Sequence, residues 1–243
     1  MFKKEDFDKY YKAFLGSDLK KIYSWYIVKA QEDNRILNNH YYYPLILTHY
    51  EGKNFLSITP EFYSEFKNEL SSMKPLNIND FIKTFFESRL NGFEYKKMLR
   101  LTKYDSIPLH STMAIPLTHN AKTLFMNSGK NKDVSFKEKK WELLKPYISE
   151  KRHYIVPSAT EILSIAHISD IQEGAGNIVV FTPQAHRQKG YGKEAVTGTL
   201  EWCMNNKVLP IYFVDERNIA SINLAKSLGF VVETHETVVC YQK

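Results

Sequence analysis

Residues 177–195, NIVVFTPQAHRQKGYGKEA, decide how the rest of the chain is read: strand, turn, glycine loop, helix start. Ile178, Val179, Val180 and Phe181 form a short β-branched and aromatic run suited to a buried strand, and Pro183 withdraws a backbone donor and ends pairing. Arg187, Gln188, Lys189, Gly190, Tyr191 and Gly192 follow, and the two glycines permit backbone angles and close approaches that a Cβ would block. A helix starting there adds the unpaired N–H groups of its first turn and the positive end of its dipole. With Arg187, Lys189 and Lys193 adding full charges, the loop suits a pyrophosphate.

Gly190, Gly192 and Ala195 also fit the G-x-G-x-x-G/A dinucleotide pattern, with Asp215 ending a second strand at about the right distance, a reading that would predict NAD. Against it, residues 183–189 separate the strand from the first glycine, and too little chain follows position 216 to supply the remaining strands. A nucleotide P-loop fails because no G-K-[ST] follows a first glycine at the required spacing.

In R-x-K-G-x-G order, Arg187, Lys189, Gly190 and Gly192 resemble the acyl-CoA pyrophosphate loop of the GNAT acetyltransferase superfamily. Residues 211–230, IYFVDERNIASINLAKSLGF, resemble its next strand, its N-x-x-S/A helix and its L-G-F ending. The resemblance implies an α/β (α+β) fold in which residues 121–243 form a GNAT-type mixed, mostly antiparallel sheet with flanking helices and a splayed central strand pair. Residues 1–120 would then be a mixed, helix-rich N-terminal α/β domain that shapes the acceptor site or serves interaction. Within the superfamily the chain most resembles the branch that includes zwittermicin A resistance-type acetyltransferases.

Composition bounds the alternatives. A chain of 243 residues buries a sizeable core as one large domain or two small ones, and 43% hydrophobic with 25% charged residues argues against disorder. The first twelve residues, MFKKEDFDKYYK, mix both signs without a signal-peptide core, and no run reaches bilayer-spanning length, so a cytoplasmic location without membrane contact is expected. Cys203 and Cys240 make neither a disulfide framework nor a zinc set and are expected to be reduced packing residues. The net charge of +6 is spread along the chain; residues 130–152 hold eight basic and four acidic side chains, which reads as a solvated surface and not a nucleic-acid face.

Phe7, Tyr10, Tyr11 and Phe14 repeat at helical spacing, and Leu19, Ile22, Tyr23 and Tyr26 predict a second amphipathic helix after Gly16. Residues 43–50 and 55–58 read as a hairpin. Pro60 opens a helix carrying Phe62, Phe66 and Leu70; Pro75 breaks it, and Asn77 or Asn79 caps a helix with Phe81, Phe85 and Phe86. About the first 105 residues are thus expected to combine several helices with one hairpin. They hold eleven of the sixteen tyrosines, expected to serve core packing or a subunit contact such as a homodimer's. A linker is placed between positions 105 and 133. Beyond it come a helix at 136–147, strands at 153–156 and 161–168, and a turn at Gly174, Ala175 and Gly176 into the strand at Asn177 as an antiparallel partner. The loop's helix carries Val196, Leu200, Cys203 and Met204; residues 211–214 return parallel through a βαβ crossover, Asn218 caps the last helix, Gly229 stops it, and 231–241 closes the sheet.

The resemblance further implies acetyl-CoA as co-substrate, with no metal. Its pantetheine arm would pair with backbone around Phe181 and Thr182, and its pyrophosphate would sit on Arg187, Gln188, Lys189, Gly190, Tyr191, Gly192 and Lys193. Asn218 matches the asparagine that touches the arm, though an N-cap role explains it equally; Ser221 matches the small residue one turn later and reads as spacing. Acetyl transfer would proceed by direct attack of an amine, on a small molecule or a protein, in a ternary complex. The superfamily's usual acid is a tyrosine in the pattern N-x-x-A-x-x-L-Y, where this chain has Ala225. Glu161 and His167, on one face of the 161–168 strand, and Asp170 and Glu173 near the turn are the base candidates; each has an ordinary alternative as a packed histidine or a surface carboxylate. The missing tyrosine keeps a second class open, a non-catalytic acyl-CoA-binding or regulatory protein.

Overall fold

The computed structural model describes residues 1–32, 35–38, 41–73, 77–105, 112–129 and 133–242. In chain order its elements are α1 (Lys4–Leu15), β1 (Ser17–Ile22), β2 (Trp25–Lys29), β3 (Ile36–Asn38), β4 (Tyr41–Tyr50), β5 (Lys53–Ile58), α2 (Pro60–Met73), α3 (Ile78–Glu87) and β6 (Glu94–Thr102). There follow β7 (Ile115–Pro116), α4 (Lys122–Asn127), α5 (Val134–Ser149), β8 (His153–Pro157), β9 (Ile162–Gln172), β10 (Ala175–Phe181), α6 (Tyr191–Asn205), β11 (Leu209–Asp215), α7 (Ile219–Ser227) and β12 (Val231–Gln242). The fold is mixed α/β, with mostly antiparallel strand pairing and flanking helices. Two compact units emerge, each discontinuous in sequence. One comprises Met1–Phe7, Leu101–Phe213 and Ile219–Val231; the other Asp8–Arg100, Val214–Asn218 and Val232–Lys243.

In the unit built around Asp8–Arg100 the strands run in the order β1-β2-β5-β4-β12-β6, with β3 beside β4. The helix predicted over Leu19 to Tyr26 is here a β-hairpin, turning at Tyr23 with φ 55°, and this corrects the helix-rich expectation for that half. The apolar spacing is the same, but β2 gains a parallel ladder with β5 and buries Ile27 and Val28, an outcome decided by tertiary pairing over local periodicity. The β4–β5 hairpin forms where expected, and α3 is capped by Asn77, whose side chain accepts the Asn79 N–H at 2.9 Å. Pro75 lies outside the described residues, as does part of the predicted linker. Phe62, Phe66, Phe81, Phe85 and Phe86 pack edge to face over Leu45, Leu56 and Val239 and form the core of this unit. The last strand, β12, pairs with β4, Val238 opposite Ile46 and Val239 opposite Leu45, so the end of the chain completes a sheet begun by the N-terminal hairpin.

In the other unit the order is β11-β10-β9-β8-β7. Trp141 and Ile148 of α5 pack with Leu117, Ile155 and Ile162 on one face. Helix α6 buries every residue from Ala195 to Leu200, and Cys203 one turn later. Strands β9 and β10 form the expected antiparallel pair, although the turn falls at Glu173 and Gly174, with Ala175 and Gly176 already in β10. β10 and β11 are parallel through α6, as a βαβ crossover requires. No helix among the described residues is long and apolar enough to cross a membrane.

Candidate functional site

Strands β10 and β11 pair only at their beginnings. Ala175 faces Leu209, Gly176 faces Pro210 and Asn177 faces Ile211; no further β10–β11 pair follows among the described residues, although β10 runs on to Phe181 and β11 to Asp215. Meanwhile the opposite edge of β10 stays paired with β9 as far as Phe181 opposite Ile165. This is the splayed pair, with about 13 Å of β10 backbone beyond the last parallel pair.

At the mouth of that opening lies the glycine loop. After Phe181 the chain makes a short 3₁₀ turn at Gln184–His186, then passes through Gln188 at φ 62° and Gly190 at φ 84° into α6. The two glycines act differently. Gly190 adopts a left-handed conformation with open space around it, whereas a Cβ on Gly192 would stand 3.1 Å from the Thr182 hydroxyl and 3.7 Å from Leu224. The N–H groups of Lys193 and Glu194 already bond the Gly190 carbonyl, so the donors available to a ligand belong to the residues before them. Arg187 folds back, its Nε donating to the Thr182 carbonyl at 3.1 Å, while Gln188, Lys189 and the Lys193 side chain are exposed and Tyr191 is half-buried.

A polar cluster adjoins the loop. The Ser164 hydroxyl of β9 lies 2.8 Å from that of Thr182 and donates to the Phe181 carbonyl at 3.3 Å. Glu161, immediately before β9, sits 3.3 Å from His186 Nε2 in the 3₁₀ turn, and the His186 ring meets Tyr191 edge on. Sequence reasoning misses Ser164 and His186; the signal for the first is a serine among the apolar residues of 162–168.

The other base candidates lie apart from one another. His167 sits in mid-strand, opposite Val179 on one side and His153 on the other, with its ring stacked on His153 at 4.8 Å. His153 is almost fully buried and neither of its ring nitrogens meets a partner among the described residues; burial, then the charge of His167 and of Lys140, pull it down to about 3. Glu173 is at the hairpin turn, the end of β10 remote from the loop, and the Asp170 side chain lies outside the described residues. Ser221 shares a 2.7 Å hydrogen bond with the Tyr212 hydroxyl, whose pKa burial raises. Asn218 belongs to the other unit, where its N–H bonds the Asp215 carbonyl just before α7 begins. Ala225 is buried in α7.

Residues 54–239 match the family model described as GNAT acetyltransferase. No curated protein matches the sequence. Among solved structures, an acetyltransferase of the GNAT family from Colwellia psychrerythraea superposes with a TM-score of 0.52 at 12% identity, over 100% of this chain and 98% of that one. A GCN5-related N-acetyltransferase-like protein from Streptococcus suis gives 0.49 at 13% identity, over 85% of each chain. Salmonella typhimurium yncA, described as a putative acetyltransferase with its cofactor acetyl-CoA, gives 0.42 at 14% identity, over 53% of this chain and 92% of that one. With a family match over well more than half its length and a splayed strand pair opening onto a glycine loop, the chain belongs to the GNAT acetyltransferase family.

Proposed function

We propose that the protein is an N-acetyltransferase using acetyl-CoA, with its affinity to the zwittermicin A resistance-type branch part of the same reading. The observation that carries it is the end of β10–β11 pairing at Asn177 and Ile211, in line with a glycine loop at a helix N-terminus. The pantetheine arm would complete the edge of β10 up to Phe181 and Thr182, and the pyrophosphate would rest on the N–H groups from Gln188 to Gly192 and on the charges of Lys189 and Lys193. In the reaction an acceptor amine attacks the acetyl carbonyl, the C–S bond breaks, the amine loses a proton and the departing thiolate gains one. Thiolate leaves readily, so Ala225 in place of the tyrosine acid is compatible with turnover. The Glu161–His186 pair is the best-connected proton acceptor near the loop, and His167 the alternative on the face shared with Val179 and Phe181.

The buried Ala225 favours a second reading, an acyl-CoA-binding protein without turnover. Calorimetry with acetyl-CoA, coupled to thiol release over a panel of small-molecule and peptide amines, separates the two. Binding with thiol release on at least one amine is expected; binding without release on any would favour the second reading, and no binding would overturn both.

A further inference from the structure

One side chain spans the point where the two strands part. The N–H of Phe213, two residues beyond the last β10–β11 pair, donates at 3.1 Å to the side-chain carbonyl of Asn177. On its other side the main-chain carbonyl of Asn177 accepts the Ser169 hydroxyl at 3.1 Å. The β9–β10 register shifts here: Gly176 faces Ile171 and Ile178 faces Ile168, so Ser169 and Asp170 oppose Asn177 alone, as in a β-bulge. Gly176 is small because a Cβ there would collide with Ile168. Asn177 is therefore tied to β9 through its backbone and to β11 through its side chain. A side-chain amide reaches farther than a main-chain carbonyl, so it satisfies the Phe213 donor while holding β11 away from β10.

From this geometry we infer that Asn177 is a positioning residue that fixes the vertex of the opening, and with it the depth at which the acyl end of the coenzyme is held. The inference rests on the acetyl-CoA reading given above. It makes Asn177 act through the position of β11, leaving the phosphate loop untouched.

The test compares two ligands on the full chain: acetyl-CoA, and the nucleotide half of the coenzyme, which lacks the pantetheine arm. Asn177→Ala is expected to weaken acetyl-CoA binding about tenfold while the nucleotide half keeps its affinity within about twofold. Exchange of the Phe213 amide with solvent should quicken about tenfold or more. Asn177→Asp, which keeps an acceptor oxygen at the same reach, should restore both. Ser169→Ala, a milder change at the same node, should weaken acetyl-CoA alone by about threefold, and it carries the test if Asn177→Ala does not fold. Unchanged acetyl-CoA affinity in a folded Asn177→Ala protein, or equal losses for both ligands, overturns the inference while leaving the acetyl-CoA reading intact. Failure of the unsubstituted protein to bind acetyl-CoA overturns that reading and the inference together, and the unsubstituted titration tells the two failures apart.

Discussion

The rings of His153 and His167 stack face to face across β8 and β9, centroids 4.8 Å apart and only 8° from parallel. Both face α5, from which Lys140 and Tyr147 approach, the Tyr147 ring at 5.7 Å from His167. A proton on His153 would add charge in a buried place already facing His167 and Lys140, which explains its depression to about 3. An unfolded chain binds that proton near the ordinary value of 6.5, so it binds more protons than the folded chain as pH falls through the window from 6.5 to 3. Stability should decline across that window by up to about 1.4 kcal/mol per pH unit from this residue. Denaturant titrations at several pH values should show that decline in the unsubstituted protein and a shallower one in His153→Phe.

Gly192→Glu should separate binding from folding. The position sits in the first turn of α6, with the Thr182 hydroxyl as its nearest neighbour, so a side chain must project toward the loop mouth. Acetyl-CoA affinity should fall at least about a hundredfold, because bulk and negative charge occupy the phosphate seat. The melting temperature should move by only a few degrees. A folded variant with unchanged affinity would remove the loop from the site.

Gly190→Ala tests backbone conformation instead. No neighbour lies within 4 Å of a Cβ there, yet φ is 84°. The expected cost is about 1 kcal/mol from left-handed strain, with a smaller loss of acetyl-CoA affinity than for Gly192→Glu. Paired unfolding curves and calorimetry would show the contrast.

Arg100 and Glu236 form a buried two-point ion pair, Nε to Oε1 at 2.7 Å and Nη2 to Oε2 at 3.1 Å, joined by the hydroxyls of Tyr10, Tyr11 and Thr234. Burial alone would lower the Arg100 pKa; the Glu236 charge reverses this and holds it well above the ordinary value. Glu236→Gln leaves the guanidinium without its counter-charge and should cost about 3–5 kcal/mol in urea unfolding. The double substitution Arg100→Met with Glu236→Leu should recover most of that loss, since an apolar pair of similar volume needs no desolvation of charge.

Cys203 and Cys240 should resist thiol reagents in the folded protein. Burial raises them to about 12 and about 11, so little thiolate exists near neutral pH. Labelling with a chromogenic disulfide should be negligible in buffer and reach both thiols in denaturant.

Much of the site's local geometry was legible in the order of residues. Pro183 ends β10, the glycines open α6, and the βαβ crossover follows from strand, helix and strand spacing. Periodicity misled at Leu19, Ile22, Tyr23 and Tyr26, because that spacing fits one face of a helix and the same residues also fit two short strands. The strand β6 has no clear local signal: EYKKMLRLT places lysines and an arginine in a run whose burial depends on its neighbours, and the buried Arg100 is received by Glu236, far along the chain. In the sequence Asn177 is simply the polar residue before a β-branched run. Its importance comes from Phe213 and Ser169, which no local window contains. Among the base candidates, Glu161 meets His186 whereas His167 meets His153, contacts made by residues that no local window contains.

By itself the sequence determined what neighbouring residues settle among themselves: the end of β10 near Pro183, the glycine-bearing start of α6, and the motif order that marks the family. Tertiary structure alone decided that β12 would join β4, that residues 17–29 would be strands, and that β10 and β11 would separate at Asn177. The physical reason is the reach of the bonds involved. Helix and turn bonds close within a few residues, whereas sheet ladders and buried ion pairs join groups tens to hundreds of positions apart, and only the packed core selects among their alternatives.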